Sequence, residues 1–188
     1  MTLLDLITRT RSYRRFDEAF RISTQELREL INLARLTSSA RNAQALRYLL
    51  INTPEDCARI FPFLMWAGYL TDWSGPIKGE RPAAYIVVTK DTLINQNIFC
   101  DDGLAIQSIM LGANEKDLGG CILGSIDKEK IRKEFKITEE LEILYVLALG
   151  KPVEKVVLKE IQNNDFKYWR DATGVHYVPK RKLDDLII

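Results

Sequence analysis

Residues 11–16 read Arg11-Ser12-Tyr13-Arg14-Arg15-Phe16, and the rest of the chain is organised around them. They place three guanidinium groups beside one hydroxyl. A guanidinium group presents a rigid fork of donors that matches a phosphate, and a serine hydroxyl adds another donor. In an extended segment Ser12 and Arg14 point away from Arg11 and Tyr13. The stretch predicts an anion-binding segment that its two aromatic side chains anchor to the core. The alternative is a solvated basic turn after a helix.

The composition bounds the class of protein. The chain has 188 residues, which suits one domain or one subunit of an intertwined dimer. Apolar residues make up 46%, and 27 Lys and Arg residues nearly balance 26 Asp and Glu residues. A general nucleic-acid binder carries a basic excess, so we expect no nucleic acid as a partner. The local basic clusters are better suited to a small anion.

Cysteine spacing and hydropathy indicate a cytoplasmic protein. Cys57, Cys100 and Cys121 lie far apart without a CxxC spacing, as reduced thiols do, so neither a disulfide framework nor an iron–sulfur site is expected. The sequence has no signal peptide and no long apolar span, so no membrane association is expected. The carboxylates of Asp101-Asp102 have no further ligands nearby, which favours a helix cap over a metal site.

Helices alternate with strands along residues 1–152. Capping residues predict helices that begin after Thr2, Ser23, Thr53 and Asp127. The most apolar helix is predicted over residues 99–118, with Gly119-Gly120 ending it. Buried strands are predicted at residues 47–52, 83–89, 121–123 and 142–149. This order predicts a mixed α and β fold with helices packed on a sheet.

Two stretches lack a regular period. Residues 66–82 contain Trp66, Tyr69 and Trp73, and they form either a packed loop or a substrate lid. Residues 153–188 hold aromatic clusters and end in apolar residues, which is costly to leave loose, so a partner subunit is expected to cover them. The prediction is a single domain over residues 1–188, with a compact core at 1–152 and an extended C-terminal arm at 153–188.

Three features suggest a bound anionic cofactor. The first is the basic stretch 11–16, the second is the small polar loop at 38–44, and the third is the pair Lys180-Arg181. A phosphate ester suits the cations. A planar heterocycle with carbonyl and imide edges suits the amide side chains of the polar loop and the backbone of the glycine-rich strand end at Gly119–Gly124.

Other candidate residues have simpler interpretations. His176 is the only histidine, and a structural or surface role is favoured over proton donation to a substrate. Cys121 follows two glycines in a strand and is interpreted as a core residue. Gly119–Gly124 lacks the lysine and hydroxyl residue of a phosphate-binding loop.

The motifs, in this order, resemble the FMN-dependent nitroreductase family. Arg11–Phe16 is similar to the family's opening Arg-Arg-Ser-x-Arg-x-Phe motif, and Ser38–Gln44 to its Pro-Ser-Ala-x-Asn-x-Gln-Pro motif. Asp102–Gln107 resembles the start of its central helix, and Ala148–Pro152 its Ala-Leu-Gly-Tyr-Pro strand end. Val178–Arg181 resembles its C-terminal basic pair. The sequence departs from the polar-loop motif at residue 45, which is alanine where the family has proline.

The resemblance implies an α+β fold: a nitroreductase-like mixed sheet flanked by helices, in an intertwined homodimer whose C-terminal arm crosses to the partner. It implies FMN as cofactor, NAD(P)H as cosubstrate, and ping-pong hydride transfer to a small electron-poor acceptor such as a nitroaromatic or a quinone. The flavin carries the chemistry, so no catalytic side chain is expected. Alternatives are a relative with changed chemistry, such as a reductive dehalogenase or flavin-cleaving enzyme, and a non-catalytic flavin-binding redox sensor or storage module.

The resemblance also implies which residues bind the cofactor: Arg11, Ser12, Tyr13, Arg14, Ser38, Ser39, Asn42, Gln44, Leu123, Gly124, Lys180 and Arg181. The first group would hold the phosphate and ribityl chain, and the C-terminal pair would close over the same phosphate. The polar loop would reach the FMN of the other subunit. The backbone at Leu123-Gly124 would approach the flavin ring.

Overall fold

A computed structural model describes all 188 residues, and four of its five helices begin where the sequence supplies a capping side chain. The helices are α1 (Leu3–Arg9), α2 (Thr24–Arg35), α3 (Pro54–Ile60), α4 (Asp101–Glu115) and α5 (Lys128–Phe135). Thr2 and Ser23 each form a capping box with the acidic residue three positions later. Thr53 and Asp127 cap the next two predicted helices. The predicted helix starts are therefore confirmed.

Four antiparallel strands form the main sheet. They are β1 (Leu46–Ile51), β2 (Ala84–Asp91), β3 (Gly119–Leu123) and β4 (Leu141–Gly150), and their spatial order is β1-β2-β4-β3. The four predicted strands are confirmed, with small differences at their ends. The central strand β2 is buried over its first seven residues, which agrees with the continuous apolar run at residues 84–88.

Both faces of the sheet are covered. Side chains of β2 alternate between the two faces, so Ile86 packs with helices α2 and α4 on one side. Val87 packs on the other side with α3, α5 and the segment that contains Trp66. The result is an α+β layered fold with β3 at one edge of the sheet. No helix of the chain combines the length and the apolar character needed to cross a membrane.

The glycine pair at residues 119–120 does not end α4, contrary to prediction. The helix ends at Glu115 and the chain turns at Asp117, whose φ is 56°. Both glycines lie in β3, where a Cβ on Gly119 would lie 2.5 Å from the ring of Tyr13 and a Cβ on Gly120 would lie 2.6 Å from a backbone oxygen of β4. The missing side chains let the basic stretch lie against β3, and the Tyr13 N–H donates to the Gly120 carbonyl at 2.9 Å.

Residues 153–188 contain a second sheet that the sequence pattern did not indicate. Its strands are β5 (Val156–Glu160), β6 (Trp169–Arg170) and β7 (His176–Lys180). Strand β7 lies in the middle, parallel to β5 and antiparallel to β6. The strands are short and mostly half-exposed, so they lack the apolar period that identifies a core strand. Much of the predicted arm is therefore folded structure within the same chain.

Candidate functional site

A pocket of about 310 Å³ opens where the basic stretch meets the sheet of β5, β6 and β7, called here the C-terminal sheet. Its cations are Arg11, Arg14 and Lys180, and no carboxylate lines it. Ser12 lies between the two arginines, and Gln107 and Met110 of α4 form part of the wall. The structure thus brings together four of the predicted site residues in one place, called here the cationic pocket. Its charge suits an anionic ligand.

Arg14 is the most deeply placed cation of the pocket. It is only 8% exposed, it forms no salt bridge, and its Nε has no hydrogen-bond partner. Its Nη1 donates to the Ser12 carbonyl at 3.3 Å and lies 3.4 Å from His176 Nε2. Its Cζ lies 4.8 Å from the ring centroid of Tyr168. A buried charge without a counter-ion is unfavourable, so the arrangement favours a bound anion.

Glu154 explains why Arg14 stays unpaired. Its carboxylate, whose side chain is 1% exposed, accepts hydrogen bonds from the backbone N–H groups of Arg14 and Arg15. It also pairs with Arg170 Nη2 at 2.9 Å. The carboxylate therefore fixes the backbone of the basic stretch, and its negative charge is compensated by Arg170. Nothing in the sequence pattern singled out Glu154, because its role depends on a contact 140 residues away.

The other side chains of the basic stretch divide between pocket and scaffold. Arg11 lines the pocket beside Ser12 and Arg14, so the predicted alternation is wrong for Arg11. It directly follows the C-cap of α1, and its Nη2 folds back to donate to the Ile7 carbonyl at 2.6 Å. Burial lowers the pKa of the Arg11 guanidinium.

Tyr13 and Arg15 belong to the scaffold. Tyr13 lies outside the cationic pocket: its ring packs against Gly119, and its hydroxyl donates to the Arg9 carbonyl at 3.0 Å. Arg15 pairs with Glu80, with 2.7 Å between Nε and Oε2, and this interaction lowers the pKa of the Glu80 carboxyl. Tyr13 therefore anchors the stretch, as predicted, but it is not placed to contact a ligand in this pocket.

The C-terminal basic pair is split. Lys180, the last residue of β7, lines the cationic pocket. Arg181 is exposed, and its Nη1 lies 3.5 Å from Asn164 Oδ1, outside the pocket. Successive side chains of an extended segment point to opposite sides, which accounts for the separation. We expected Arg181 to lie beside the other cations, and within one chain it does not.

A second pocket of about 460 Å³, which more hydrophobic residues line and which is called here the apolar pocket, adjoins the cationic one and shares Arg14, Ile122 and Tyr168 with it. The predicted residues Leu123 and Gly124 line this apolar pocket, opposite residues 65–68. A Cβ on Gly124 would meet nothing closer than 3.8 Å, so the backbone there is accessible. The two pockets together suit a ligand with an anionic end and a flat apolar body.

Residues 66–82 are partly packed against the protein and partly exposed. Trp66 is buried in the core, and a Cβ on Gly75, whose φ is 122°, would lie 2.7 Å from the indole of Trp66. The ring of Trp73 contacts Arg170, whose Cζ lies 4.7 Å from the ring centroid. Tyr69 is half-exposed and lies 5.0 Å from Tyr168, the shared wall of the two pockets. Both tryptophans are thus packed against the protein, and Trp66 also lines the apolar pocket.

The polar loop lies apart from these pockets in a single chain. Ser38, Ser39 and Gln44 line a separate groove of about 260 Å³ beside α2 and β1, and Asn42 is exposed outside it. None of the residues that line this groove also lines the cationic or the apolar pocket. Residues 41, 42 and 44 have φ values of 54°, 56° and 52°, which is uncommon for residues other than glycine. Such backbone strain is characteristic of functional loops.

Asp101 holds the polar loop in this conformation. Its buried carboxylate accepts a hydrogen bond from Ser39 Oγ at 2.7 Å and another from the Ala40 N–H at 2.8 Å. The prediction that it caps α4 is wrong, because the N-cap position is Cys100, which makes no side-chain hydrogen bond. Placed in the first turn of α4, the carboxylate is also favoured by the helix dipole.

His176 is buried in the wall of the cationic pocket and is only 1% exposed, so a surface role is excluded. Burial and the positive charges of Arg14 and Arg170 lower the pKa of His176 to about 4, and the imidazole is neutral at neutral pH. The sequence offered no signal for this placement beyond the presence of a single histidine. Together with Tyr168, His176 is a pocket residue that only the fold reveals.

Comparison with known proteins gives consistent matches. The family model described as the nitroreductase family matches residues 7–69 and 76–151. YodC of Bacillus subtilis (strain 168), whose name describes an NAD(P)H nitroreductase, is 24% identical over 184 residues, covering 80% of this chain and 90% of that protein. YdgI of the same organism, with the same description, is 24% identical over 186 residues, with 81% and 89% covered.

Solved structures share the fold. A nitroreductase in complex with FMN from Exiguobacterium sibiricum 255-15 superposes with a TM-score of 0.71 at 19% identity, covering 90% of this chain and 98% of that chain. An FMN-dependent nitroreductase from Clostridium difficile R20291 gives a TM-score of 0.66 at 19% identity, with 86% and 92% covered.

Proposed function

The chain belongs to the nitroreductase family, and on that premise we propose that it is an FMN-dependent oxidoreductase that uses NAD(P)H to reduce a small electron-poor acceptor. Nitroaromatics and quinones are the acceptor class. The relatives named NAD(P)H nitroreductases and the neighbour in complex with FMN support this proposal.

The observation that carries the proposal is the unpaired guanidinium group of Arg14. It is buried, it lacks a carboxylate partner, and its Nε is unsatisfied. A phosphate group supplies both the missing charge and acceptor oxygens for such a guanidinium. Arg14 also lines the adjoining apolar pocket, which suits a flat ring. The residues present therefore fit a flavin mononucleotide, with its phosphate and ring at opposite ends.

The roles of individual side chains follow from this fit. Arg11, Ser12, Arg14 and Lys180 would hold the phosphate end. The backbone at Leu123-Gly124 would lie along the ring. FMN, when bound, supplies the two-electron exchange between a reduced nicotinamide and an acceptor. The chain itself binds and orients, and no protein acid or base is assigned. We expect ping-pong kinetics if NAD(P)H and the acceptor use the apolar pocket in turn.

The polar loop enters the proposal through a second copy of the chain. Ser38, Ser39, Asn42 and Gln44 are separated from the cationic pocket within one chain, so they would contribute to the flavin of the partner in a homodimer. Apolar side chains at both chain ends support such an assembly. Those exposed to solvent in the single chain include Leu3, Leu4, Leu183, Leu186 and Ile187. Exposed apolar surface of this kind is typical of a subunit contact.

Anaerobic titration of the FMN-loaded protein tests the proposal. Loss of the yellow flavin absorbance on addition of NADH or NADPH, and its return on addition of a quinone or nitroaromatic, is the expected result. Parallel lines in double-reciprocal plots are expected for ping-pong order. A protein that binds FMN but is not reduced by either nicotinamide would instead fit a non-catalytic redox sensor. A protein that binds no FMN would exclude both functions.

A matched pair of variants tests the site. We expect Arg14→Met to weaken FMN binding roughly tenfold to a hundredfold, the scale of charged hydrogen bonds. Arg15→Met is the control, because Arg15 is paired with Glu80 outside the pocket. In Arg15→Met the free energy of unfolding should fall, whereas the dissociation constant for FMN should change little. Equal FMN affinity in wild type and Arg14→Met would contradict the assignment of the phosphate end.

A further inference from the structure

The guanidinium group of Arg14 is held from one side by the C-terminal sheet. His176 Nε2 lies 3.4 Å from Arg14 Nη1, and the Tyr168 ring lies 4.8 Å from Arg14 Cζ. The two rings also contact each other, with 5.2 Å between centroids and an angle of 45° between planes. All three residues line the cationic pocket. The histidine and the tyrosine thus form a wall against which the arginine rests.

The contact between His176 and Arg14 defines the state of the imidazole. A guanidinium group has donors only, so Nε2 must be the acceptor and the ring proton must lie on Nδ1. A doubly protonated imidazole would place two cations against each other and remove the acceptor. The lowered pKa of His176, about 4, agrees with the neutral form. The imidazole is therefore a neutral acceptor that can orient a cation without cancelling its charge.

We propose that His176 is a positioning residue for the cofactor phosphate: it fixes the Arg14 guanidinium in the pocket so that its remaining donors face the ligand. The proposal rests on the proposed function and adds a residue to it. A carboxylate at this position would neutralise Arg14 and compete with the phosphate, whereas a neutral acceptor leaves the positive charge available. Pre-orienting a long side chain reduces the entropy lost when the ligand binds.

Two amide variants separate the acceptor from the bulk of the side chain. In His176→Gln the amide oxygen can reach the position of Nε2, whereas in His176→Asn the shorter side chain reaches only the position of Nδ1. Both variants are polar and of similar size. Dissociation constants of the apo-protein are measured for FMN and for riboflavin, which lacks the phosphate, by the change in flavin fluorescence. The ratio of the two constants reports on the phosphate end alone.

The expected result is a selective loss. His176→Asn should weaken FMN binding roughly tenfold, the scale of one charged hydrogen bond, and leave riboflavin binding within about twofold of wild type. His176→Gln should keep the wild-type ratio. Added to Arg14→Met, the change His176→Asn should have little further effect, because the two residues act as a unit.

Each contrary outcome has a distinct meaning. Equal FMN affinity in wild type and His176→Asn would overturn the proposal. An equal loss of FMN and riboflavin binding would also overturn it, since His176 would then support the fold and not the phosphate end. His176→Gln as weak as His176→Asn would remove the acceptor role. A wild-type protein that binds FMN no better than riboflavin would overturn the phosphate assignment of the proposed function itself, together with this inference.

Discussion

At the scale of single residues, the buried histidine gives the protein a pH-dependent stability. The imidazole of His176 faces Arg14 from the basic stretch and Arg170 from β6, and its pKa falls to about 4 from an ordinary value of 6.5. The unfolded chain takes up the proton first as pH decreases. The contribution of His176 to the free energy of unfolding is therefore fully present above about pH 6.5. It declines as pH falls toward about 4 and does not change further below that pH.

We expect this loss to approach roughly 3 kcal/mol of unfolding free energy for the apo-protein. Urea unfolding between pH 4 and pH 7 measures it, with His176→Gln as the control. Carboxyl groups with lowered pKa values, such as that of Glu80, weaken the fold at still lower pH in both proteins, so the difference between the two curves isolates the histidine. Parallel curves would contradict a buried neutral imidazole in the apo-protein.

The same scale shows which residues in and around the candidate site a sequence can reveal. Arg11, Ser12, Arg14 and Lys180 belong to recognisable motifs and were predictable from the sequence. Glu154 and His176 were not, because a carboxylate or an imidazole has no local signature when its partner is more than a hundred residues away. Arg181 shows the opposite error: it belongs to a motif, but the strand geometry turns its side chain away from the site.

At the scale of elements, Glu154 joins the basic stretch to the C-terminal sheet. Its side chain is 1% exposed and binds two backbone N–H groups as well as Arg170. Removing one partner of a buried ion pair leaves the other charge uncompensated. We expect Glu154→Gln to lower the unfolding free energy by about 3 kcal/mol, measured by chemical unfolding.

Glu160→Gln provides the matched control. Glu160 also pairs with a cation, Lys182, at 3.3 Å, but both side chains are more than half exposed. Exposed pairs contribute about 0–1 kcal/mol, so the control should be close to wild type. Similar unfolding curves for the two variants would argue against Glu154 as the link between the basic stretch and the sheet.

The elements themselves were predictable where local chemistry defines them. Capping boxes identified α1 and α2, and apolar runs identified the four strands of the main sheet. The glycine pair in β3 was misread as a helix end, because the steric need for glycine there comes from Tyr13 and a backbone oxygen of β4, which are distant in sequence. The second sheet was missed because short, half-exposed strands carry no clear period.

At the scale of the whole molecule, the position of the polar loop suggests that the flavin site is incomplete in one chain. A variant that ends at Arg181 keeps Lys180 but lacks the exposed apolar residues at the C-terminus. We expect it to shift from dimer to monomer in analytical ultracentrifugation and to bind FMN more weakly. Circular dichroism of the truncated chain checks that the fold is retained.

A full-length protein that is monomeric while it binds FMN with high affinity would contradict the role of the second copy. A truncated chain that stays dimeric would instead place the subunit contact elsewhere, with α1 as the remaining exposed apolar surface.

The cationic pocket combines Arg14, near the start of the chain, with His176 and Lys180, near its end. Protein synthesis runs from the amino terminus, so a nascent chain contains all four strands of the main sheet before His176 and Lys180 are made. The cationic pocket therefore stays incomplete until residues 176–180 have been made and folded. Translation products that stop before these residues would lack the complete cationic pocket, so they would not sequester the vitamin-derived cofactor there.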